Sequence, residues 1–129
     1  MKVLIDTNIY INALSGHSGA QQVLVENDEI LVPSVMLGEL EYGFRNGSKY
    51  NKNKNHLEYF LGSENISVVF SSLQTAEIYG RLKNQLRKNG TPIPENDVWI
   101  AALSIETAST LATFDVYFKS IPSLKLLLF

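Results

Sequence analysis

Four acidic residues occupy positions from which carboxylates can do chemistry. Asp6 comes directly after a short apolar strand, and Asp115 follows a later strand. Asp97 lies in the first turn of a largely apolar helix, and Glu39 lies in a helix that also follows a strand. Ligands of open α/β sheets bind beyond the carboxyl ends of the strands, so these acids are expected at one rim of a sheet.

Taken singly, each acid has a structural explanation, such as capping a helix, favouring its dipole, closing a turn or facing water. Together they are harder to explain, because two carboxylates about 5 Å apart repel by roughly 3 kcal/mol at an effective dielectric of about 20. A bound cation removes that repulsion. Since the chain has no cysteine, a hard ion such as Mg²⁺ or Mn²⁺ is expected, and such an ion can activate water for attack on a phosphodiester.

The helical ligand is not settled by periodicity. Glu39 and Glu41 lie at similar angles on either side of Leu40, at about 100° per residue, so both stay open at this point.

Neighbouring polar residues can support these acids. Thr7 and Asn8 can hold Asp6 or a phosphate by hydrogen bonds, and Asn96 can do the same for Asp97. Plain helix capping explains these residues equally well.

Apolar and helical patterns alternate along the chain and position the acids. Short apolar runs predict strands at residues 3–5, 30–32, 66–70, 110–113 and 124–129. Because the strands alternate with helices, the chain is expected to form an α/β fold. It should be a three-layer α/β/α sandwich around a central, mainly parallel five-stranded sheet.

Helices are predicted at residues 9–14, 20–26, 34–44, around 57–61 and at 98–105. A further long helix is predicted to begin at residues 71–74 and to end at 89–90. Ser34 is expected to cap the third of these, and Ser71 to Gln74 has the spacing of a capping box. Residues 46–55 are polar and poor in helix formers, so they are predicted to form a mobile loop.

The composition is that of one globular domain of 129 residues, with 45% hydrophobic residues and a net charge of −2. No apolar run approaches the roughly 20 residues that a membrane span needs. The chain starts Met-Lys and goes directly into a strand, which leaves no room for a signal peptide, so a cytoplasmic location is expected.

Basic residues concentrate in two segments, each without an acid: Arg45, Lys49, Lys52 and Lys54, then Arg81, Lys83, Arg87 and Lys88. If both segments lie on one side of the fold, they form a cationic surface suited to a phosphate backbone. Each segment alone is more simply explained as a solvated face.

Several short motifs follow one another in an order and at a spacing that are specific to one protein family. They are residues 3–8, 38–43, 78–80, 92–102 and 113–115, the last of them followed by Phe118. On these motifs the chain resembles the PIN-domain ribonucleases, specifically the VapC-type toxins of toxin–antitoxin pairs. The resemblance implies a single PIN domain over residues 1–129 that hydrolyses RNA phosphodiester bonds with Mg²⁺ or Mn²⁺. It also implies homodimers and a VapB-like antitoxin that occupies the active-site groove.

The resemblance also assigns residues. It implies that the metal is held, directly or through water, by Asp6, Glu39, Asp97 and Asp115, with Glu41 left out and Thr113 in support. An RNA substrate, such as a tRNA or another structured RNA, would then be steered by Arg45, Lys49, Lys52, Arg87 and Lys88.

Two departures keep an alternative open. Many relatives carry a polar or acidic residue where this chain has Tyr117, and a polar residue where it has Phe114. They suggest a catalytically degenerate PIN domain that binds RNA or protein without cutting. Two other acid-dependent folds fit less well: a receiver domain needs an Asp at residues 70–72, and a haloacid-dehalogenase-type phosphatase needs one in place of Asn8.

Overall fold

Five parallel strands form one sheet in this computed structural model, which describes all 129 residues. The strands are β1 (Lys2–Ile5), β2 (Glu29–Pro33), β3 (Ile66–Val69), β4 (Thr110–Thr113) and β5 (Leu126–Leu128). The order across the sheet is β3-β2-β1-β4-β5, and every neighbouring pair is parallel. The predicted five-stranded sheet is therefore confirmed, and it is parallel throughout.

Helices cover both faces of the sheet. They are α1 (Thr7–Leu14), α2 (Ser18–Glu26), α3 (Ser34–Arg45), α4 (Tyr50–Leu61), α5 (Leu73–Lys88) and α6 (Glu95–Glu106), with a 3₁₀ helix at Val116–Ser120. Successive residues of a strand point to opposite sides of the sheet. Val3 and Ile5 therefore pack into one apolar core with α1 to α4, whereas Leu4 packs into a second core with α5 and α6. These two cores make the three-layer α/β/α sandwich.

The chain reverses its direction of travel across the sheet next to β1. It moves from β1 outward to β2 and β3, then returns to add β4 on the other side of β1, with Ile5 in register with Ala112. Such a switch point opens a crevice beyond the carboxyl ends of the two strands. Asp6 and Thr113, the next residues in register, stand at that crevice.

The helices α5 and α6 run antiparallel. Ser72 and Thr75, at the start of α5, donate hydrogen bonds to Glu106 at the end of α6. Further along α5, Lys83 pairs with Glu95 at the start of α6. The carboxyl end of α5 therefore lies beside the first turn of α6, which carries Asp97.

Three local predictions were wrong. Ser34 is the first residue of α3, where Pro33 is the N-cap and no side chain caps the helix. The capping box of α5 is formed one residue later than expected, by Ser72 and Thr75, because Thr75 can both accept from the Ser72 amide and turn its own amide to the serine hydroxyl.

The third error concerns the segment 46–55, since α4 begins at Tyr50 and only the residues before it form a turn. Tertiary contacts override the weak helix propensity of this asparagine- and lysine-rich stretch. Arg45 lies over the Tyr50 ring at 4.9 Å from its centroid, and Lys54 bonds to Glu41 of α3. None of the six α-helices is both long and apolar enough to cross a membrane.

Candidate active site

Asp6 lies at the centre of the crevice and is 3% exposed. Its Oδ1 accepts the backbone N–H of Ile9 at 3.1 Å, so the carboxylate caps α1. Its Oδ2 accepts the Thr113 hydroxyl at 2.6 Å, and the same hydroxyl oxygen accepts the backbone N–H of Asp115 at 3.0 Å. Thr113 thus links the carboxylate that follows β1 to the backbone of the acid that follows β4.

The electrostatic environment of Asp6 opposes its ionisation. Its pKa is raised from 3.8 to about 6, mainly by burial and to a smaller extent by the negative charges of Asp115 and Asp97. The hydrogen bonds from Thr113 and Ile9 act in the opposite direction. A cation placed among these groups would favour the ionised carboxylate.

The two glutamates of α3 have different partners. Glu39 is half-buried and accepts the Thr7 hydroxyl at 2.8 Å, directly beyond Asp6. Glu41 instead pairs with Arg45 at 2.8 Å and Lys54 at 2.7 Å on the outside of the fold. The structure therefore brings Glu39 to the crevice and leaves Glu41 neutralised elsewhere.

Asp97 receives its hydrogen bond from an unexpected donor. The Tyr117 hydroxyl, in the 3₁₀ helix, donates to Asp97 Oδ2. Burial raises the pKa of Asp97, this hydrogen bond lowers it, and the charges of Glu39 and Asp115 raise it. These charge effects show that Asp6, Glu39, Asp97 and Asp115 form one electrostatically coupled cluster.

The chemistry of this cluster fits a hard divalent cation. The three ion pairs of the structure involve only Glu41 and Glu95, so no basic side chain neutralises any of the four clustered acids. All the donors are carboxylate oxygens, which Mg²⁺ and Mn²⁺ prefer. In this conformation, however, no three acidic or histidine side chains are close enough together to hold an ion.

A cavity of about 350 Å³ lies beside the cluster and is lined by Thr7, Glu39 and Asn53, among others. Asn53 falls in the segment predicted to be a mobile loop, and only the packing of α4 against α3 brings it here. Tyr10 separates this cavity from a more apolar one of about 510 Å³ between α1, α2 and α4. The Tyr10 hydroxyl is buried and has no hydrogen-bond partner.

Several predicted supporting residues do not reach the acids. The side chains of Asn8 and Asn96 are exposed and make no hydrogen bond to any of the four, and Thr7 bonds to Glu39 rather than Asp6. Phe114 points elsewhere, since its ring packs against His17 at 5.0 Å and Phe129 at 5.5 Å between centroids. Thr113, by contrast, holds Asp6 directly.

The predicted RNA-binding residues differ in whether an acidic side chain already pairs with them. Arg45 is engaged by Glu41. The exposed side chains of Lys49, Lys52, Arg87 and Lys88 form no ion pair. The last two lie at the end of α5 that adjoins the first turn of α6. The second basic segment therefore ends on the same side of the fold as Asp97.

Comparison with known sequences adds a family to this geometry. The sequence profile of the PIN domain matches residues 3–124, almost the whole chain. The chain belongs to the PIN-domain family. Ribonuclease VapC2 of Rickettsia felis is 32% identical to this PIN domain, over 96% of this chain and 95% of the relative. Ribonuclease VapC1 of Haemophilus influenzae is 30% identical, over 90% and 88% of the two chains.

Solved structures agree with this family. A chain of the VapBC2 complex of Rickettsia felis, bound to a DNA fragment from its promoter, superposes with a TM-score of 0.88 at 30% identity. It covers 100% of this PIN domain and 99% of that chain. VapBC-1 of nontypeable Haemophilus influenzae gives a TM-score of 0.85 at 29% identity, with 98% and 97% covered. The fold and the length of this PIN domain thus match toxin–antitoxin proteins throughout.

Proposed function

We propose that this PIN domain is a Mg²⁺- or Mn²⁺-dependent endoribonuclease, the toxin of a VapBC-type pair. The observation that carries the proposal is the cluster of four acids at the switch point of the sheet, none of them neutralised by a basic side chain. The VapC ribonucleases among its relatives support the same activity. Residues 1–129 then act as one catalytic domain.

Asp6, Glu39, Asp97 and Asp115 would hold the ion, directly or through water. When bound, the ion supplies Lewis acidity that activates water and neutralises charge on the phosphate. The chain's own part is to orient the carboxylates. Thr113 holds one oxygen of Asp6 and Thr7 holds one oxygen of Glu39, so each acid has a fixed rotamer before the substrate arrives.

The substrate we propose is a structured RNA, such as a tRNA. The free basic side chains at the end of α5, Arg87 and Lys88, flank the first turn of α6, and Lys49 and Lys52 lie at the start of α4, whose Asn53 reaches the cavity beside Glu39. A phosphate backbone laid between these two groups would cross the acidic cluster. The basic groups supply attraction without reading sequence.

We also propose a VapB-like antitoxin as partner and a homodimer as the working state. The similar solved structures from Rickettsia felis and Haemophilus influenzae are VapBC complexes. On this chain, the apolar cavity between α1, α2 and α4 is bordered by Leu14, Val25 and Tyr59, which are 59%, 81% and 87% exposed. An antitoxin segment seated there would cover these side chains, give Tyr10 a hydrogen-bond partner and lie next to the active-site groove.

Cleavage of total cellular RNA by the purified chain tests the activity. We expect cutting with Mg²⁺ or Mn²⁺ and none with EDTA. The products should carry a 5′-phosphate and a 3′-hydroxyl, because activated water attacks phosphorus and the 3′ oxygen leaves. Asp6→Asn should abolish cutting, whereas the matched variant Asp28→Asn, at an exposed position outside the cluster, should cut normally.

The same assay separates the two glutamates of α3. Glu39→Gln should lose activity and Glu41→Gln should keep it, since Glu41 pairs with bases away from the crevice. A 2′,3′-cyclic phosphate product would contradict attack by water. Absence of any cleavage by folded, antitoxin-free protein would favour the degenerate PIN domain that only binds RNA or protein.

A further inference from the structure

Tyr117 places its hydroxyl against one of the four acids. The hydroxyl donates to Asp97 Oδ2, and Tyr117 follows Asp115 by two residues in the chain. The ring packs against the second apolar core and lies 5.2 Å from the ring of the fully buried Phe118. These contacts orient the hydroxyl toward Asp97.

Three of the acids share one arrangement, in which a single hydroxyl holds one carboxylate. Thr113 donates to Asp6, Thr7 donates to Glu39, and Tyr117 donates to Asp97. In the last two pairs, the second carboxylate oxygen, Glu39 Oε2 and Asp97 Oδ1, accepts no hydrogen bond. Each pair therefore presents one anchored oxygen and one open oxygen.

We propose that Tyr117 is a positioning residue for the metal: its hydroxyl anchors Asp97 so that the other carboxylate oxygen is available to the ion. The inference rests on the proposed metal-dependent function. A tyrosine at this place adds no negative charge to a cluster that already repels itself, yet it supplies the donor that Asp97 lacks from any threonine. Loss of such an outer hydrogen bond to a ligand weakens metal binding by roughly 10- to 100-fold.

Tyr117→Phe is the direct test, because it removes the hydroxyl and keeps the ring in the core. Its matched control is Tyr79→Phe. The Tyr79 hydroxyl also donates to a carboxylate in the first turn of α6, but to exposed Glu95, which lies outside the cluster. Binding of Mn²⁺ alone, measured by titration calorimetry, should weaken by about 10- to 100-fold in Tyr117→Phe and stay unchanged in Tyr79→Phe.

A double-variant cycle distinguishes positioning from a general effect on folding. Added to Asp97→Ala, the change Tyr117→Phe should weaken Mn²⁺ binding no further, because the carboxylate that the hydroxyl orients is already gone. Independent losses that add together would overturn the proposal. The rise in melting temperature on adding Mn²⁺, taken from each variant's own metal-free value, provides a second readout of the same affinities.

The remaining outcomes are separable. If the unaltered chain binds no Mn²⁺, the proposed function fails. If it binds Mn²⁺ and Tyr117→Phe binds equally well, only the role of Tyr117 fails. Tighter binding by Tyr117→Phe would also overturn the inference, because the hydroxyl would then compete with the ion for Asp97.

Discussion

Asp6 is the most deeply buried of the four acids, and its burial has a consequence for stability. The capping bond to Ile9 and the bond from Thr113 satisfy both of its oxygens, but they do not offset the loss of solvation and the charges nearby. The folded chain without metal therefore holds a proton on this carboxyl at a pH where the unfolded chain has lost it.

We expect the free energy of unfolding in EDTA to fall as pH rises from about 4 to 6. The pKa of the Asp6 carboxyl is 3.8 in the unfolded chain and about 6 in the folded one. The stability that the folded chain gains by binding this proton is therefore complete below the pKa of the unfolded chain and is lost above the pKa of the folded chain. The shift corresponds to roughly 3 kcal/mol. Urea unfolding of the parent and of Asp6→Asn between these pH values measures it, and the variant should lack this fall.

Asp97 remains in both proteins and shifts in the same direction, so the comparison uses the difference between the two pH profiles. Parallel profiles would contradict a raised pKa for Asp6.

The packing of α5 against α6 determines which basic side chains lie on the side of the acidic cluster. The carboxyl end of α5 adjoins the first turn of α6, so Lys88 lies on the side of Asp97, whereas Lys125 lies just before β5, near the amino ends of the strands. Both lysines are exposed and carry the same charge. They form a matched pair for testing where RNA binds.

Lys88→Glu should weaken RNA binding and Lys125→Glu should not. We expect the loss to be largest at low salt, and the slope of log affinity against log salt to become shallower by about one for the lost phosphate contact. Fluorescence anisotropy with labelled RNA measures this when both changes are made in the uncleaving Asp6→Asn background. An unchanged slope for Lys88→Glu would remove the end of α5 from the RNA footprint.

The whole molecule is expected to act as an assembly, and light scattering tests both parts of it. The purified chain should have twice the 14.4 kDa mass of one copy, and co-expression with a VapB-like antitoxin should raise that mass further. Tyr59→Glu places a charge on the rim of the apolar cavity and should abolish only the second step. A monomer would contradict the dimer, and full binding by Tyr59→Glu would move the antitoxin to another surface.

Much of the fold could be predicted from local patterns, because local patterns cause it. Uninterrupted apolar runs at residues 3–5 and 30–32 leave no polar face for solvent, which favours a parallel sheet with helices on both sides. Boundaries were less predictable. The stretch from Tyr50 onward has weak helix propensity, and it becomes α4 through contacts with α3 that no local pattern encodes.

The sequence by itself determined the donor chemistry of this protein: oxygen ligands without cysteine, with Asp6 and Asp115 at the ends of strands that a parallel sheet must align. The tertiary structure decided which partner each acid has. It joins Glu39 to Thr7 over 32 positions, Asp97 to Tyr117 over 20 and Asp6 to Thr113 over 107. Hydrogen bonds between such distant residues depend on how strands and helices pack. The contacts that turn Glu39 toward the site, pair Glu41 with bases and join Tyr117 to Asp97 therefore appear only in the folded chain.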